Sequence, residues 1–200
     1  MTKRLCDLCI SVLGITILSP FFLAVGWIIK REDGGPVFYV PHRVGRYKKL
    51  FRMYKFRTMV ANADEIGGPT TSDKDPRITR IGHLLRRFKL DELPQLFNVV
   101  KGEMSLVGPR PEVKSEVETY GPKFDVIFSV RPGVTDLASI EFRNEGEIIA
   151  NSGIADPHEA YRQLIKPRKI ELQREYAVNH SILLDAKIIL KTLSVVIGKA

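Results

Sequence analysis

Residues 8 to 29, LCISVLGITILSPFFLAVGWII, carry no charged side chain. As a straight helix at about 1.5 Å per residue the stretch would reach roughly 33 Å, enough to cross a bilayer core. Two features bend that reading. Ser19-Pro20 falls in the middle, and an internal proline removes a backbone hydrogen bond and kinks a helix. Both flanks are basic, with Lys3 and Arg4 ahead, Lys30 and Arg31 behind, and Arg43, Arg46, Lys48 and Lys49 following. Orientation follows an excess of Lys and Arg on one side, so basic residues at both ends are best satisfied if both ends stay on the cytoplasmic face. The pattern predicts a re-entrant helix that dips into one leaflet and turns back at Ser19-Pro20. A kinked true span is the rival. A signal peptide does not fit, because the stretch is long, lacks a small-x-small site and runs straight into KRED. A buried soluble helix seldom needs so many uncharged residues.

Beyond residue 30 the pattern becomes mixed. Gly34-Gly35-Pro36 reads as a turn. Val37 to Val40 and Leu50 to Met59 (LFRMYKFRTM) alternate apolar and basic residues, the signature of strands or extended segments with one basic face. Residues 67 to 77 form a loop by composition, 77 to 88 an arginine-studded helix, and Asp91 to Lys101 another helix. Pro109, Pro111, Pro122 and Pro132 cut the next part of the chain into short pieces. Residues 157 to 179 have helical spacing, with a break expected at Pro167. The C-terminal SILLDAKIILKTLSVVIGKA is amphipathic to apolar and suits either a membrane interface or a core-packing helix. The architecture expected is α+β: a re-entrant membrane helix over 1–30, kinked at Ser19 and Pro20, and a compact, mainly helical domain over 31–200. Amphipathic interfacial helices and a cytoplasmic-face placement complete it.

Composition narrows the partners. The chain has 200 residues, 44% apolar and 27% charged, which excludes a disordered chain and a bundle of spans. Its net charge of +8 points to an anionic partner: nucleic acid, an anionic membrane surface or phosphorylated substrates. Cys6 and Cys9 are the only cysteines; one Cys-x-x-Cys without a second pair is weak for zinc and reads as two small residues packing on one helix face. His42, His83, His158 and His180 lack metal-ligand spacing.

The candidate chemistry lies in KLDELPQLFNVVKGEMSLVGPRP, residues 89 to 111. Asp91 is a suitable helix N-cap, Glu92 suits the positive end of a helix dipole, and Pro94 is tolerated in a first turn. Adjacent carboxylates on a helix point about 100° apart and cannot share one proton, but one can attack while the other holds a metal. Arg77, Arg80, Arg86 and Arg87 lie just upstream; Arg110 and Arg131 sit in proline-stiffened turns, VGPRP and VRPG, which favour a planar fork aimed at phosphate oxygens. Lys55 suits either a phosphate contact or a basic strand face. A carboxylate nucleophile, a second carboxylate for magnesium and several arginines form a phosphoryl-transfer kit.

Nearly the whole chain resembles the bacterial sugar transferases known as monotopic phosphoglycosyl transferases. The matching pieces are the apolar segment with Ser19-Pro20, MYKFRTM at 53–59, DPRITRIGHLLRRFKLDELPQLFNVVKGEMSLVGPRP at 75–111, VRPGVT at 130–135 and LLDAKIILKTL at 183–193. The resemblance implies a monotopic enzyme on the cytoplasmic face of the bacterial inner membrane. Such an enzyme moves a sugar-1-phosphate from a UDP-sugar to undecaprenyl phosphate by ping-pong chemistry. It implies Asp91 as nucleophile, Glu92 with Asp91 as the Mg2+ site, and Lys55, Arg86 and Arg110 around the active site; Arg77 and Arg131 are phosphate-binding candidates from their own setting among the arginines. The oligomeric state, a dimer included, is left open.

Two stretches depart from that pattern. DLASIEFRNEGEII at 136–149 replaces a tryptophan-containing run ending in Gly-Arg-Asn, and Gln173-Arg174-Glu175-Tyr176 stands where many members have Asp-x-x-Tyr. The sugar is therefore not assigned. A magnesium-dependent nucleotide-sugar hydrolase and a non-catalytic basic membrane- or nucleic-acid-binding protein are the alternatives. The second is disfavoured by an acid pair that would repel a polyanion.

Overall fold

The computed structural model describes residues 2–66 and 75–198, so most of the expected 67–77 loop lies outside the described residues. In chain order the elements are α1 (Thr2–Asp33), β1 (Phe38–Tyr39), β2 (His42–Val44), β3 (Leu50–Arg52), β4 (Lys55–Phe56), α2 (Ala63–Ile66), α3 (Arg80–Arg87) and α4 (Gln95–Lys101). Next come β5 (Ser105–Val107), α5 (Lys114–Val117), β6 (Gly133–Thr135), α6 (Leu137–Glu141), α7 (Glu145–Ala150), α8 (Pro157–Ala160), α9 (Lys166–Asn179) and α10 (Ile182–Ile197). Helices dominate, and the strands pair only two at a time. Two compact units emerge: residues 1–42 with 52–102, and residues 43–51 with 103–200.

In the first unit α1 is one continuous helix that carries Pro20 inside it. It is long and apolar enough to cross a membrane. Leu5, Ile10, Val12, Leu13, Ile17, Leu23, Trp27 and Ile28 are exposed along it. Leaving such a set in water would forgo on the order of 10 kcal/mol, as much as the whole stability of a domain, so the helix needs an apolar solvent. Its other side packs into protein. Val25 and Ile29 meet Phe56 and Leu85, with Phe21, Phe22, Val37, Ile81 and Leu90 around them. Phe22 and Phe56 meet edge to face at 5.4 Å, and Phe38 stacks on Phe56 at 5.6 Å, an arrangement that adds to their area burial. Cys6 and Cys9 are exposed on α1 and do not pack together in a core.

Polar grips fasten both ends of α1. At the start, Arg4 donates to the carbonyls of Val99 (2.6 Å) and Val100 (3.1 Å), the unsatisfied acceptors at the end of α4. At the other end the Asp33 carboxylate forms a bidentate pair with buried Arg57, and Glu32 accepts from the backbone N–H of Arg80, the first residue of α3, at 2.7 Å.

The expected strand over 50–59 splits in two. β1 pairs antiparallel with β4, Phe38 opposite Phe56 and Tyr39 opposite Lys55, whereas β3 pairs with β2. Asn98 on α4 causes the break: its side chain accepts from the Tyr54 N–H (2.9 Å) and donates to the Arg52 carbonyl (2.7 Å). A buried amide thus takes the two groups that a longer ladder would have used.

In the second unit β5 and β6 run parallel, Ser105 opposite Gly133 and Val107 opposite Thr135. The loops entering and leaving them touch so closely that a Cβ on Gly133 would lie 2.1 Å from the Gly108 nitrogen. Against this pair Tyr176 of α9 is fully buried, its hydroxyl 2.9 Å from the Val107 carbonyl and 2.6 Å from the Asp185 carboxylate on α10. A second cluster joins Val44, Ile127, Phe128 and Ile170. The expected break at Pro167 does not occur. A π-turn over Tyr161–Ile165 precedes α9, and Pro167 occupies its first turn, where a missing N–H is tolerated. On α10, Ile182, Leu183, Leu190 and Leu193 are exposed while Asp185 and Ile188 are buried.

Gly133→Ala should destabilise the protein by about 2 kcal/mol or more, because backbone stands where the methyl must go. Thermal unfolding in detergent checks this, and an unchanged midpoint would disprove the close approach.

Candidate active site

Asp91 is not a helix cap. Asp91 and Glu92 form a single 3-10 turn, Leu90–Glu92, and α4 begins only at Gln95 with Pro94 as the residue before it. Pro94 has no N–H to donate to the Leu90 carbonyl, so that carbonyl accepts instead from Leu93 at 3.3 Å, an i to i+3 bond. Upstream, Lys89 adopts a left-handed conformation, φ 56°, which ends α3 and starts the turn. A lysine there costs on the order of 1 kcal/mol, and strain of this kind gathers at working sites. The acid pair is therefore held on a bend between two short helices.

The pair is unequal. Asp91 is buried, whereas Glu92 is half-buried and its carboxylate meets the Lys55 ammonium at 3.0 Å. Lys55 arrives from β4, whose position is set by Phe56 in the core and by the Asn98 clamp just upstream. Arg86, on the last turn of α3, donates from Nε to the Thr58 hydroxyl at 2.8 Å. Its helix is pressed so tightly against the segment after β4 that a Cβ on Gly82 would lie 2.1 Å from the Thr58 carbonyl.

Arg77 is committed locally. It is buried, binds Asp75 through Nη2 (2.7 Å) and Nε (3.0 Å), and donates to the Ala63 carbonyl at 3.0 Å. The same guanidinium holds the Asp75 carboxyl down at a pKa of about 2. The first unit thus gathers Lys55, Asp91 and Glu92, with Arg86 on Thr58 and Arg77 on Asp75. Arg110 and Arg131 belong to the second unit, in the loops after β5 and before β6. Ser19 and Pro20 lie inside α1.

Several side chains that build this site escape a reading of the sequence: Arg4, Asp33, Arg57, Thr58 and Asn98. Arg57 is partly visible, since the alternation in KFRTM sets Lys55 and Arg57 on one side of an extended segment. Asn98 has one signal, a polar residue inside a short apolar helix. Their partners lie far away in sequence and give none.

An apolar helix long enough to cross a membrane is thus joined, in one unit, to a bend of two carboxylates and a lysine. The chain belongs to the bacterial sugar transferase family, whose model matches residues 1–199. It is 35% identical to an exopolysaccharide production protein, ExoY, of Sinorhizobium fredii, over 98% of this chain and 85% of the relative. It is 36% identical to a UDP-N-acetylgalactosamine-undecaprenyl-phosphate N-acetylgalactosaminephosphotransferase of Aeromonas hydrophila, over 98% of this chain and 43% of the relative. Against an undecaprenyl-phosphate galactose phosphotransferase of Salmonella typhimurium the identity is 42%, over 72% of this chain and 33% of the relative. The chain thus spans most of the first relative and less than half of the other two.

Two measurements check the local physics. Lys89→Gly removes the left-handed strain and should raise stability by about 0.5 to 1 kcal/mol; a loss instead would mean that the lysine side chain holds the bend. Asp75, with its pKa lowered from an ordinary 3.8 to about 2, stabilises the fold above about pH 4 and loses that contribution as pH falls toward 2. The gap in unfolding midpoint between the wild type and Asp75→Asn should therefore narrow between pH 6 and pH 3, and a constant gap would contradict the assignment.

Proposed function

We propose that this protein transfers a sugar-1-phosphate from a UDP-sugar to undecaprenyl phosphate, yielding a polyprenyl-diphosphate sugar and UMP. The observation that carries the reading is the acid bend itself: a buried Asp91 beside a Glu92 that Lys55 holds at 3.0 Å. A buried carboxylate is poorly solvated and so a better nucleophile, while the lysine offers positive charge where an incoming phosphate needs it. In the first half-reaction an Asp91 carboxylate oxygen attacks the β-phosphorus of the donor. The bond from that phosphorus to the bridging oxygen breaks, and UMP leaves with the electron pair. In the second, a phosphate oxygen of the lipid attacks the phosphorus of the aspartyl intermediate and Asp91 is released as carboxylate. Within the first unit Lys55 and Arg86 hold phosphate oxygens through these steps, whereas the charge of Arg77 is taken up by Asp75.

Magnesium fits this donor set. Among the described residues no three His, Cys, Asp or Glu side chains gather as a cage. The ion does not need one, since it keeps several waters and takes one or two carboxylates together with substrate phosphates. Glu92, with Asp91, would hold it, and when bound it would offset the charge of the donor diphosphate.

The membrane reading follows from α1. A span carries its two ends to opposite faces, yet Arg4 and Asp33 both find polar partners within the same unit, on α4 and Arg57. That favours a monotopic, re-entrant helix with both ends on the cytoplasmic face of the inner membrane. The exposed Ile182, Leu183, Leu190 and Leu193 of α10, beside exposed Lys187 and Lys191, suit an interfacial helix. A soluble donor and a lipid acceptor must meet at that interface.

UMP release by the detergent-solubilised protein, with magnesium and a panel of UDP-sugars, tests the reading. Turnover should require undecaprenyl phosphate and fall about a thousandfold or more in Asp91→Asn. Sustained release without lipid would make the protein a nucleotide-sugar hydrolase. Lipid binding without turnover, retained in Asp91→Asn, would make it a basic membrane-binding protein.

A further inference from the structure

Where α1 ends, it forms a groove with α3. The groove is lined by Ile28, Arg31 and Glu32 of α1 and by Arg80, Ile81 and Leu84 of α3, all within the first unit, and encloses about 450 Å3. Sites for small molecules run from roughly 300 to 1,000 Å3, so this one is large enough to hold a ligand. Its wall is of two kinds. Ile28 and Leu84 leave apolar surface in it, being 39% and 51% exposed. Arg31 and Arg80 are exposed as well, and among the described residues neither guanidinium is ion-paired. Glu32 is engaged: its carboxylate accepts from the Arg80 backbone N–H at 2.7 Å, an acid at the positive end of α3.

The groove lies at a boundary along α1. The uncharged run stops at Ile29, and Lys30 and Arg31 follow. One turn back, Trp27 is 60% exposed, and the Arg31 guanidinium lies over its ring, 4.7 Å from the centroid. Tryptophan gathers where hydrocarbon gives way to headgroups, and a long basic side chain there keeps its charge at the polar level. A ligand that suits this groove is apolar at one end and anionic at the other.

We infer that this groove binds an anionic phospholipid of the bilayer, its phosphate on Arg31 and Arg80 and an acyl chain along Ile28 and Leu84. The inference rests on the reading of α1 as a membrane helix and not on the chemistry at Asp91. Basic pockets beside membrane helices take such headgroups, and the guanidinium fork matches phosphate oxygens. A zwitterionic headgroup brings its own cation to two guanidiniums and gains less. Free phosphate would leave the apolar wall uncovered. Undecaprenyl phosphate has the same two ends, but its phosphate must reach the acid bend to react, and none of Lys55, Asp91 and Glu92 lines the groove. A phospholipid seated there ties the end of α1 to the start of α3, the helix whose last turn carries Arg86 and leads into that bend.

Trp27 is the chain's single tryptophan, so its fluorescence reports on this groove. The full-length protein is reconstituted in phosphatidylcholine vesicles with either brominated phosphatidylglycerol or brominated phosphatidylcholine, whose bromines quench an indole they touch. Phosphatidylglycerol should compete for the position beside Trp27 at least about fivefold better than phosphatidylcholine. Arg80→Gln should lose most of that preference, and so should Arg31→Gln, which stands in if the first variant does not fold. Each variant supplies its own phosphatidylcholine reference, so altered Trp27 emission cancels. Lys49→Gln removes an exposed charge that does not line the groove and should keep the preference. Equal quenching by the two lipids in the wild type overturns the inference, as does an equal loss in Lys49→Gln and Arg80→Gln, which would mean general surface charge. Unbrominated undecaprenyl phosphate that relieves the quenching better than unbrominated phosphatidylglycerol makes the groove the acceptor's and overturns it too. Relief by inorganic phosphate alone makes it a free-anion site, with the same consequence. If neither brominated lipid quenches Trp27, the membrane reading of α1 fails and the inference with it; if both quench equally, only the inference fails.

Discussion

The bidentate pair between Asp33 and Arg57 is the joint on which the first unit turns. It fastens the polar end of a 32-residue apolar helix to the segment that carries Lys55. Arg57 is buried while Asp33 reaches solvent, so removing Asp33 would leave the arginine's charge inside the protein without its main partner. Here both ions have further partners: Arg57 donates to the Pro36 carbonyl, and Asp33 accepts from the Gly35 N–H. With Arg4 at the other end, α1 becomes part of the first unit and not a detached anchor.

A constraint of the same kind shapes the site. The acid bend exists because the helical ladder fails twice within a few residues, at left-handed Lys89 and at Pro94. Asn98 then reaches back from α4 to the strand segment, and this brings Lys55 to Glu92. In the second unit, two prolines and the buried side chains of Asp136 and Gln173 hold the backbone of Arg110. In both places irregular backbone is secured by hydrogen bonds from regular elements.

Much was legible from the chain alone. The apolar run, the basic flanks, the helices near 80 and 95, the Asp91-Glu92 pair and the family resemblance needed only residue types and spacing. Errors fell where a partner distant in sequence or a local backbone turn intervened. The strand over 50–59 was divided by Asn98, the capping role of Asp91 was removed by Pro94 and Lys89, and the break at Pro167 was absorbed by a π-turn. Local preference is worth a few tenths of a kcal/mol per residue, and a buried hydrogen bond or a fixed turn outweighs it.

By itself the sequence determined what the chain must avoid and what it can react with: charge excluded from residues 8–29, and two carboxylates beside arginines held by proline. Those properties belong to residue types and survive any fold. The tertiary structure alone decided which carboxylate is buried and which meets Lys55, and which arginines are spent on internal pairs. It also decided that both ends of α1 are held by one unit. These are matters of burial and distance between residues tens of positions apart, and such free energies exist only once the chain has closed on itself.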